Sequence, residues 1–287
     1  MVRSFWVLCV LMAACGGDDA PRPMTFGTEA RPVDLKVPPT LTEGKQYPLV
    51  VVLHGRTASG FVQVAVFGVG GLPANDEAFL IAPDGNIDDT GRTYWNADPA
   101  CCDFERHNPD DVGYLGTMIE DVLASGWPID DDKVYLLGHS NGAYMAYRMA
   151  CERSDIIASI GGLAGLAASV PSTCQPARAV NVLHLHGDAD AVVPYQSGSG
   201  PVMSIGVEPT LTQWIGHNAC GTTRAPGLAL DLDSAVAGAE TKTFSVDGCP
   251  PGGAVDLWKM EGSGHLPVFG SSLVGPLMQW FRDHPRS

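Results

Sequence analysis

The sequence predicts an α/β chain, with a mostly parallel sheet covered by helices on both faces. Three observations carry this. Apolar, β-branched runs such as Leu49-Val50-Val51-Val52-Leu53 recur along the chain, as in strands buried on both faces. Segments with helical spacing of apolar residues separate those runs. One run, Val134 to Leu137, leads through a Gly-x-Ser-x-Gly turn into a helix-forming segment. The composition suits a folded chain of 287 residues, with 45% hydrophobic and 17% charged residues, and there is ample length for a large core. The balance of 17 Lys and Arg against 32 Asp and Glu gives a net charge of −15, with no basic cluster. Nucleic acid and polyanionic substrates are therefore excluded as partners, because both need clustered cations.

The elements follow in chain order. Arg3 precedes an apolar run from Phe5 to Ala14, too short to span a bilayer, which reads as a signal peptide over residues 1–14. Its end, Leu11-Met12-Ala13-Ala14-Cys15, resembles a bacterial lipobox and predicts lipidation of Cys15. Any membrane contact is expected only through that anchor. The mature chain is then a lipoprotein, periplasmic or at the cell surface, or else extracellular. Residues 15–32, rich in Gly, Asp and Pro, read as a tether, and 33–287 as one domain. Val33 to Val37 reads as a short edge strand, and Phe79 to Ala82 as a strand closed by Pro83-Asp84-Gly85. Asp111 to Leu123 has helical spacing behind an acidic start at Asp110-Asp111. Strands follow at Val134 to Leu137, Ile156 to Ile160, Val180 to Leu185 and Ala254 to Trp258. Helices are expected over Ala143 to Cys151, Leu211 to His217 and Leu273 to Phe281. The Gly-, Ala- and Asp-rich stretch 218–253 reads as an excursion from the sheet.

The chemistry concentrates at Gly138-His139-Ser140-Asn141-Gly142. A strand-to-helix turn this tight needs flanking residues without side chains, and it presents the serine hydroxyl at the helix N-terminus. A serine hydroxyl attacks only when a base takes its proton, and the base needs a carboxylate to hold its tautomer. The acid candidates, Asp188 and Asp190, follow the strand Val180 to Leu185. The base candidate, His265, follows the strand Ala254 to Trp258. Both lie past strand C-termini, where parallel sheets carry their sites. His107, His217 and His284 fit less well by position. The oxyanion hole is expected from the backbone N–H of Asn141 and of Arg56 or Thr57, after Leu53-His54-Gly55. His54 reads as a structural residue of that loop. The alternation His184-x-His186-x-Asp188-x-Asp190 also has the look of metal ligands, but Ala189 stands where a binuclear site would need a further His. No metal and no organic cofactor is expected.

Trp95, Tyr195 and Phe269 lie near these segments and are expected to line a substrate pocket. Six cysteines remain beyond Cys9 and Cys15, an even number that suits disulfides in an oxidising compartment. Cys151 ends a helix running down from Ser140, and Cys174 precedes the start of a strand, so both lie at the bottom of the sheet and are expected to pair. Cys220 and Cys249 are expected to close the excursion. Cys101 and Cys102, in a top-side loop, bond to each other or remain thiols.

Taken with Leu53-His54-Gly55, Trp95, Cys101-Cys102, Asp110-Asp111-Val112-Gly113, His186-Gly187 through Asp190 to Val193-Pro194-Tyr195, and Gly264-His265, the serine motif resembles the α/β-hydrolase family of secreted polyhydroxybutyrate-depolymerase-like and feruloyl-esterase-like enzymes. The likeness runs from about residue 33 to 283. It implies Ser140 as nucleophile, Asp190 rather than Asp188 as the orienting acid, and His265 as base. It also implies an exported serine esterase whose partner is an ester substrate, polyhydroxyalkanoate-type or from the plant cell wall (feruloyl or acetyl), with no obligate protein partner. Family members often carry a Trp soon after the base, where this chain has Leu266-Pro267-Val268-Phe269. A serine peptidase of the same fold and a catalytically idle surface binding protein are the alternatives.

Overall fold

The computed structural model describes residues 22–75, 77–199 and 203–287. The signal peptide, the first residues of the tether and Cys15 lie outside the described residues. Eight strands make the central sheet: β1 (Tyr47–Leu53), β2 (Phe79–Ile81), β3 (Ile129–His139), β4 (Ser159–Leu163), β5 (Asn181–Gly187), β6 (Arg224–Pro226), β7 (Thr241–Val246) and β8 (Val255–Met260). Their spatial order is β6-β7-β8-β5-β4-β3-β1-β2. The six from β8 to β2 run parallel, and β6 and β7 are antiparallel additions.

Side chains alternate across β1, so the two faces build two cores. Leu49, Val51 and Leu53 pack with Leu136, Ile160 and Val182 on one face, beneath α2 (Asp111–Ala124), α3 (Asn141–Glu152) and α4 (Val207–His217). Val50 and Val52 pack with Tyr135, Leu137 and Leu183 on the other, beneath α1 (Gly60–Phe67) and α5 (Val274–Asp283). At ~25 cal/mol per Å² of apolar area, burying each such aliphatic side chain contributes roughly 1.5–3 kcal/mol.

The structure departs from the sequence reading in several places. The stretch 218–253 is no mere excursion, because β6 and β7 extend the sheet beyond β8. Pro32–Asp34 pairs with Thr25–Gly27 in a small hairpin rather than with the sheet, and buries Phe26, so the expected tether is packed from about residue 24 onward. Lys36 makes a bridge to Leu80 of the sheet there, and Leu35 packs into the core beside it. Helix α1 was not foreseen. Strand β4 begins three residues later than expected. The bridges Cys101–Cys102, Cys151–Cys174 and Cys220–Cys249 are all present.

Candidate active site

Strand β3 ends at His139, and Ser140 makes the whole turn into α3 with φ 54° and ψ −121°. A non-glycine residue in that region is strained and is held only where its surroundings over-determine it. The neighbours do so. A Cβ on Gly138 would lie 2.2 Å from the Gly142 carbonyl oxygen, and one on Gly142 would lie 2.2 Å from that of Leu53. Both contacts are impossible, so only glycine lets the turn close. The Ser140 N–H donates to the Leu163 carbonyl at 2.8 Å, which anchors the turn to β4.

Three strand ends bring the side chains together. His265 Nε2 lies 2.9 Å from Ser140 Oγ, and His265 Nδ1 lies 2.7 Å from Asp190 Oδ2. Asp190 Oδ1 accepts from the N–H groups of Val192 and Val193. Burial works against the Asp190 charge, but the bonds from His186 and His265 outweigh it and hold the carboxyl well below its usual range. Asp188 lies outside this chain. It accepts from the Gly262 N–H at 2.7 Å and pairs with Lys259 at 3.1 Å, tying the acid loop to the base loop. A Cβ on Gly187 would meet the Ser263 carbonyl at 2.2 Å, so the missing side chain lets those two loops touch. A hydroxyl bonded to an imidazole, itself bonded to a buried carboxylate, can lose its proton as it attacks a carbonyl carbon.

The backbone N–H groups of Asn141, next to Ser140, and of Arg56, next to the Gly55 that abuts Ser140, have no hydrogen-bond partner among the described residues. Thr57 is corrected as an oxyanion donor. It sits in the left-handed region at φ 70°, and its N–H donates to the Thr93 carbonyl at 2.9 Å. The Thr93 hydroxyl donates in turn to the Ala58 carbonyl, and the Arg56 guanidinium pairs with Asp88 at 2.5 Å. The hairpin of Asn86–Ile87 and Thr93–Tyr94 thus grips the loop at Arg56 and just after it. His54 bridges Gly55 and the Gly85 N–H, as a structural residue of the same loop should.

Several supporting residues were missed from sequence. Asp111 is more than an acidic helix start. It is fully buried and accepts from Arg31, Asn86 and the Asn96 N–H, which fastens the loop before α2. Asp110, read from sequence as part of that acidic start, caps α2 by accepting from the Gly113 N–H. The His139 ring lies 5.0 Å from that of His265 and donates from Nε2 to the His265 carbonyl at 2.9 Å. Burial, with His265 close by, pushes its pKa down to about 4, so it stays neutral.

The expected pocket aromatics are corrected. Trp95 is 0% exposed, its indole N–H donating to the His54 carbonyl and its backbone exchanging bonds with the Asn141 amide. Phe269 is 2% exposed and belongs to the core beneath α5. Tyr195 is 8% exposed and packs edge-on against His186. What faces solvent instead is Leu266 and Val268, just after His265, and Phe61 and Val62, at the start of α1 after the loop of Arg56 and Thr57. A cavity of about 540 Å³ runs along α3 from Tyr144 to Glu152, and its lining does not include Ser140, Asp190 or His265. Asp89, Glu105 and His107 are spaced to hold a metal ion, but all three are exposed and bond among themselves.

The sequence model of phospholipases and carboxylesterases matches residues 42–202, more than half of the chain. The chain belongs to the phospholipase/carboxylesterase family. Among curated relatives of this family member, the poly(3-hydroxybutyrate) depolymerase of Ralstonia pickettii is 34% identical over 138 residues, 44% of this chain and 27% of that protein. The protein named "Probable feruloyl esterase C" of Aspergillus niger is 27% identical over 198 residues, 66% of this chain and 63% of that protein. The chain thus spans less than two thirds of the length of either. Among solved structures, the acetyl xylan esterase of Aspergillus awamori superposes with a TM-score of 0.62 at 16% identity, covering 91% of this chain and 98% of that one. At that identity the match speaks for the α/β-hydrolase fold of the phospholipase/carboxylesterase family.

Proposed function

We propose that the protein hydrolyses carboxylic esters through an acyl-enzyme on Ser140. The observation that carries the reading is the unbroken chain Ser140–His265–Asp190 at the C-terminal ends of β3, β8 and β5. In this mechanism Ser140 Oγ attacks the ester carbonyl carbon while its proton passes to His265 Nε2. The N–H groups of Asn141 and Arg56 donate to the oxygen as it becomes negative. Asp190 holds the imidazolium in place. His265 then gives the proton to the departing alcohol oxygen, and the C–O bond breaks. Water repeats the cycle on the acyl-enzyme, releasing the acid and restoring the Ser140 hydroxyl. No step calls for a metal or organic cofactor.

The substrate is an uncharged ester of the polyhydroxyalkanoate or plant-cell-wall (feruloyl or acetyl) class. Support comes from the relatives, from the exposed apolar Leu266, Val268, Phe61 and Val62 close in sequence to the site, and from a net charge that repels polyanions. The protein is exported, a reading supported by its three disulfides, and lipidation at Cys15 rests on the lipobox-like Leu11-Met12-Ala13-Ala14-Cys15 alone, the alternative being an extracellular chain. No helix among the described residues is long and apolar enough to cross a membrane. The decisive test is labelling with a fluorophosphonate, run beside nitrophenyl, feruloyl and hydroxyalkanoate esters. Wild type should label and turn over at least one ester. Ser140→Ala should do neither while keeping its denaturation midpoint. Turnover by Ser140→Ala close to wild type would overturn the reading.

A further inference from the structure

A second hydrogen-bonded chain stands behind Asp190. His184 and His186 are two apart on β5 and so project from the same face of the strand, towards α3. Tyr147 of α3 meets them there. Its hydroxyl lies 2.6 Å from His184 Nδ1, His184 Nε2 lies 3.2 Å from His186 Nδ1, and His186 Nε2 lies 2.9 Å from the Val193 carbonyl. The same His186 nitrogen is 3.4 Å from Asp190 Oδ2, the oxygen that holds His265. All three side chains are buried.

The proton positions follow from the chemistry of the last acceptor. A carbonyl can only accept, so His186 carries its proton on Nε2. The Nδ1 of a neutral His186 is then an acceptor, so His184 donates from Nε2. His184 Nδ1 is left to accept from the Tyr147 O–H. The order of donors is set from one end to the other, and every ring nitrogen has a partner. Burial pushes the pKa of His184 well below its ordinary value, in keeping with a neutral ring.

We propose that Tyr147, His184 and His186 are positioning residues for the ester hydrolysis, a relay that fixes the His186 Nε2–H on the acid turn and so holds Asp190 in line with His265. The proposal rests on the esterase reading. The location argues for it, because β5 is an interior strand whose other core positions, Val182, Leu183 and Leu185, are aliphatic. Three buried polar groups in such a place are harder to accommodate than aliphatic ones unless they are fully bonded, and this set is bonded towards the site. His186 holds the turn at Val193 while Asp190 accepts from Val192 and Val193 within it, so the turn is fixed from outside and inside.

Other groups facing these rings complete the setting. His265 faces the Ser140 hydroxyl, Asp190 and the His139 ring. His186 faces His184, Asp190 and the edge of Tyr195, over which Lys259 lies at 5.7 Å while pairing with Asp188. The Tyr147 ring packs on Trp214 of α4. Among these groups the charged carboxylate closest to His265 is Asp190, so its alignment governs how well the His265 imidazolium is stabilised.

Tyr147→Phe removes one oxygen and leaves the ring in place. Without that donor the His184 Nδ1 lone pair is left buried and unpaired, so the His184–His186 pair loses its outer anchor and its hold on the acid turn through the His186 Nε2–H loosens. The expected result is a three- to tenfold fall in kcat with KM unchanged, and an acid limb of the kcat/KM profile moved to lower pH. His186→Leu should lose tenfold or more in kcat, and His186→Gln, whose amide N–H can reach Val193, should recover most of it. Wild-type kcat and an unmoved acid limb in Tyr147→Phe, with only the denaturation midpoint changed, would mean the chain is packing and overturn the proposal. Tyr147→Phe alone decides the matter if His186→Leu does not fold. Failure of the esterase reading looks different, since the wild type itself would then neither label with fluorophosphonate nor turn over ester.

Discussion

Asp188 and Asp190 stand two residues apart at the same strand end, yet exchanging each for Asn should give very different enzymes. Asn at 190 keeps an oxygen for the Val192 and Val193 N–H groups but turns an amide N–H₂ toward His265 Nδ1, now 2.7 Å from a carboxylate oxygen. The imidazole must then present its lone pair on Nδ1 and its proton on Nε2, where it faces Ser140 Oγ and cannot accept. In serine hydrolases of this design the wrong tautomer costs about 10⁴ in kcat. At ~1.36 kcal/mol per decade that is roughly 5 kcal/mol of transition-state stabilisation. Asn at 188 keeps its oxygen for the Gly262 N–H and loses only the pairing with Lys259, in which both side chains are about 30% exposed. Such a pair contributes ~0.2–1 kcal/mol to stability, so kcat should stay within about threefold of wild type. The assay is kcat/KM on nitrophenyl acetate and butyrate, with urea denaturation to show that both variants fold. Equal losses at the two positions, or an Asp190→Asn enzyme within tenfold of wild type, would falsify the assignment of the orienting acid.

Three further outcomes are expected. Stability should fall as pH drops from about 6.5 toward 4, because burial lowers the pKa values of His54, His139 and His184. In that window the unfolded chain binds more protons than the folded one, so acid favours unfolding. His139 alone accounts for on the order of 3 kcal/mol, and urea midpoints at pH 7.5, 6 and 5 that do not decline would refute this. Replacing Cys220 and Cys249 together by Ser should cost about 3 kcal/mol in urea denaturation, for a bridge closing 29 residues, with ester turnover retained because the bridge lies by Gly253 at the far end of β8. Asp88→Ala, which frees the Arg56 guanidinium, should lower kcat about tenfold at unchanged KM; an altered KM with constant kcat would show that the pair acts on binding instead.

The residues that meet at Ser140 were legible because each follows a strand whose apolar run is plain in the sequence. A parallel sheet brings such ends to one side whatever the intervening chain does. Choosing between Arg56 and Thr57 was out of reach, since it depends on a left-handed φ at Thr57 and a partner at Thr93, 36 positions on. Trp95 misled for a similar reason. An aromatic in a loop near strand ends looks like a platform until the amide of Asn141 and the carbonyl of His54 close over it. Helix α1, Gly-Phe-Val-Gln-Val-Ala-Val-Phe, is apolar apart from Gln63 and has no charged face to mark its period. Strands β6 and β7 carry polar and apolar residues in a short, partly exposed pattern that a loop could equally show. The alternation at His184 and His186 was visible and a metal was set aside, but the partner Tyr147 lies 37 residues away on another element, so the hydrogen-bonded chain itself could not be read.

The two ends of the sheet bear on how the protein behaves in a crowd of its own copies. An open row of N–H and C=O groups invites a neighbouring molecule to add a strand, and long flat margins seed aggregates that way. Here both margins are three residues long. At β2 the outward groups of Leu80 are already taken by the N–H and C=O of Lys36, donated by the segment that follows the small N-terminal hairpin. At β6 the last residue is Pro226, which has no N–H to offer. A twisted eight-stranded sheet is thereby finished at both sides by a borrowed residue and a proline. Self-association by strand addition has little to build on at either margin.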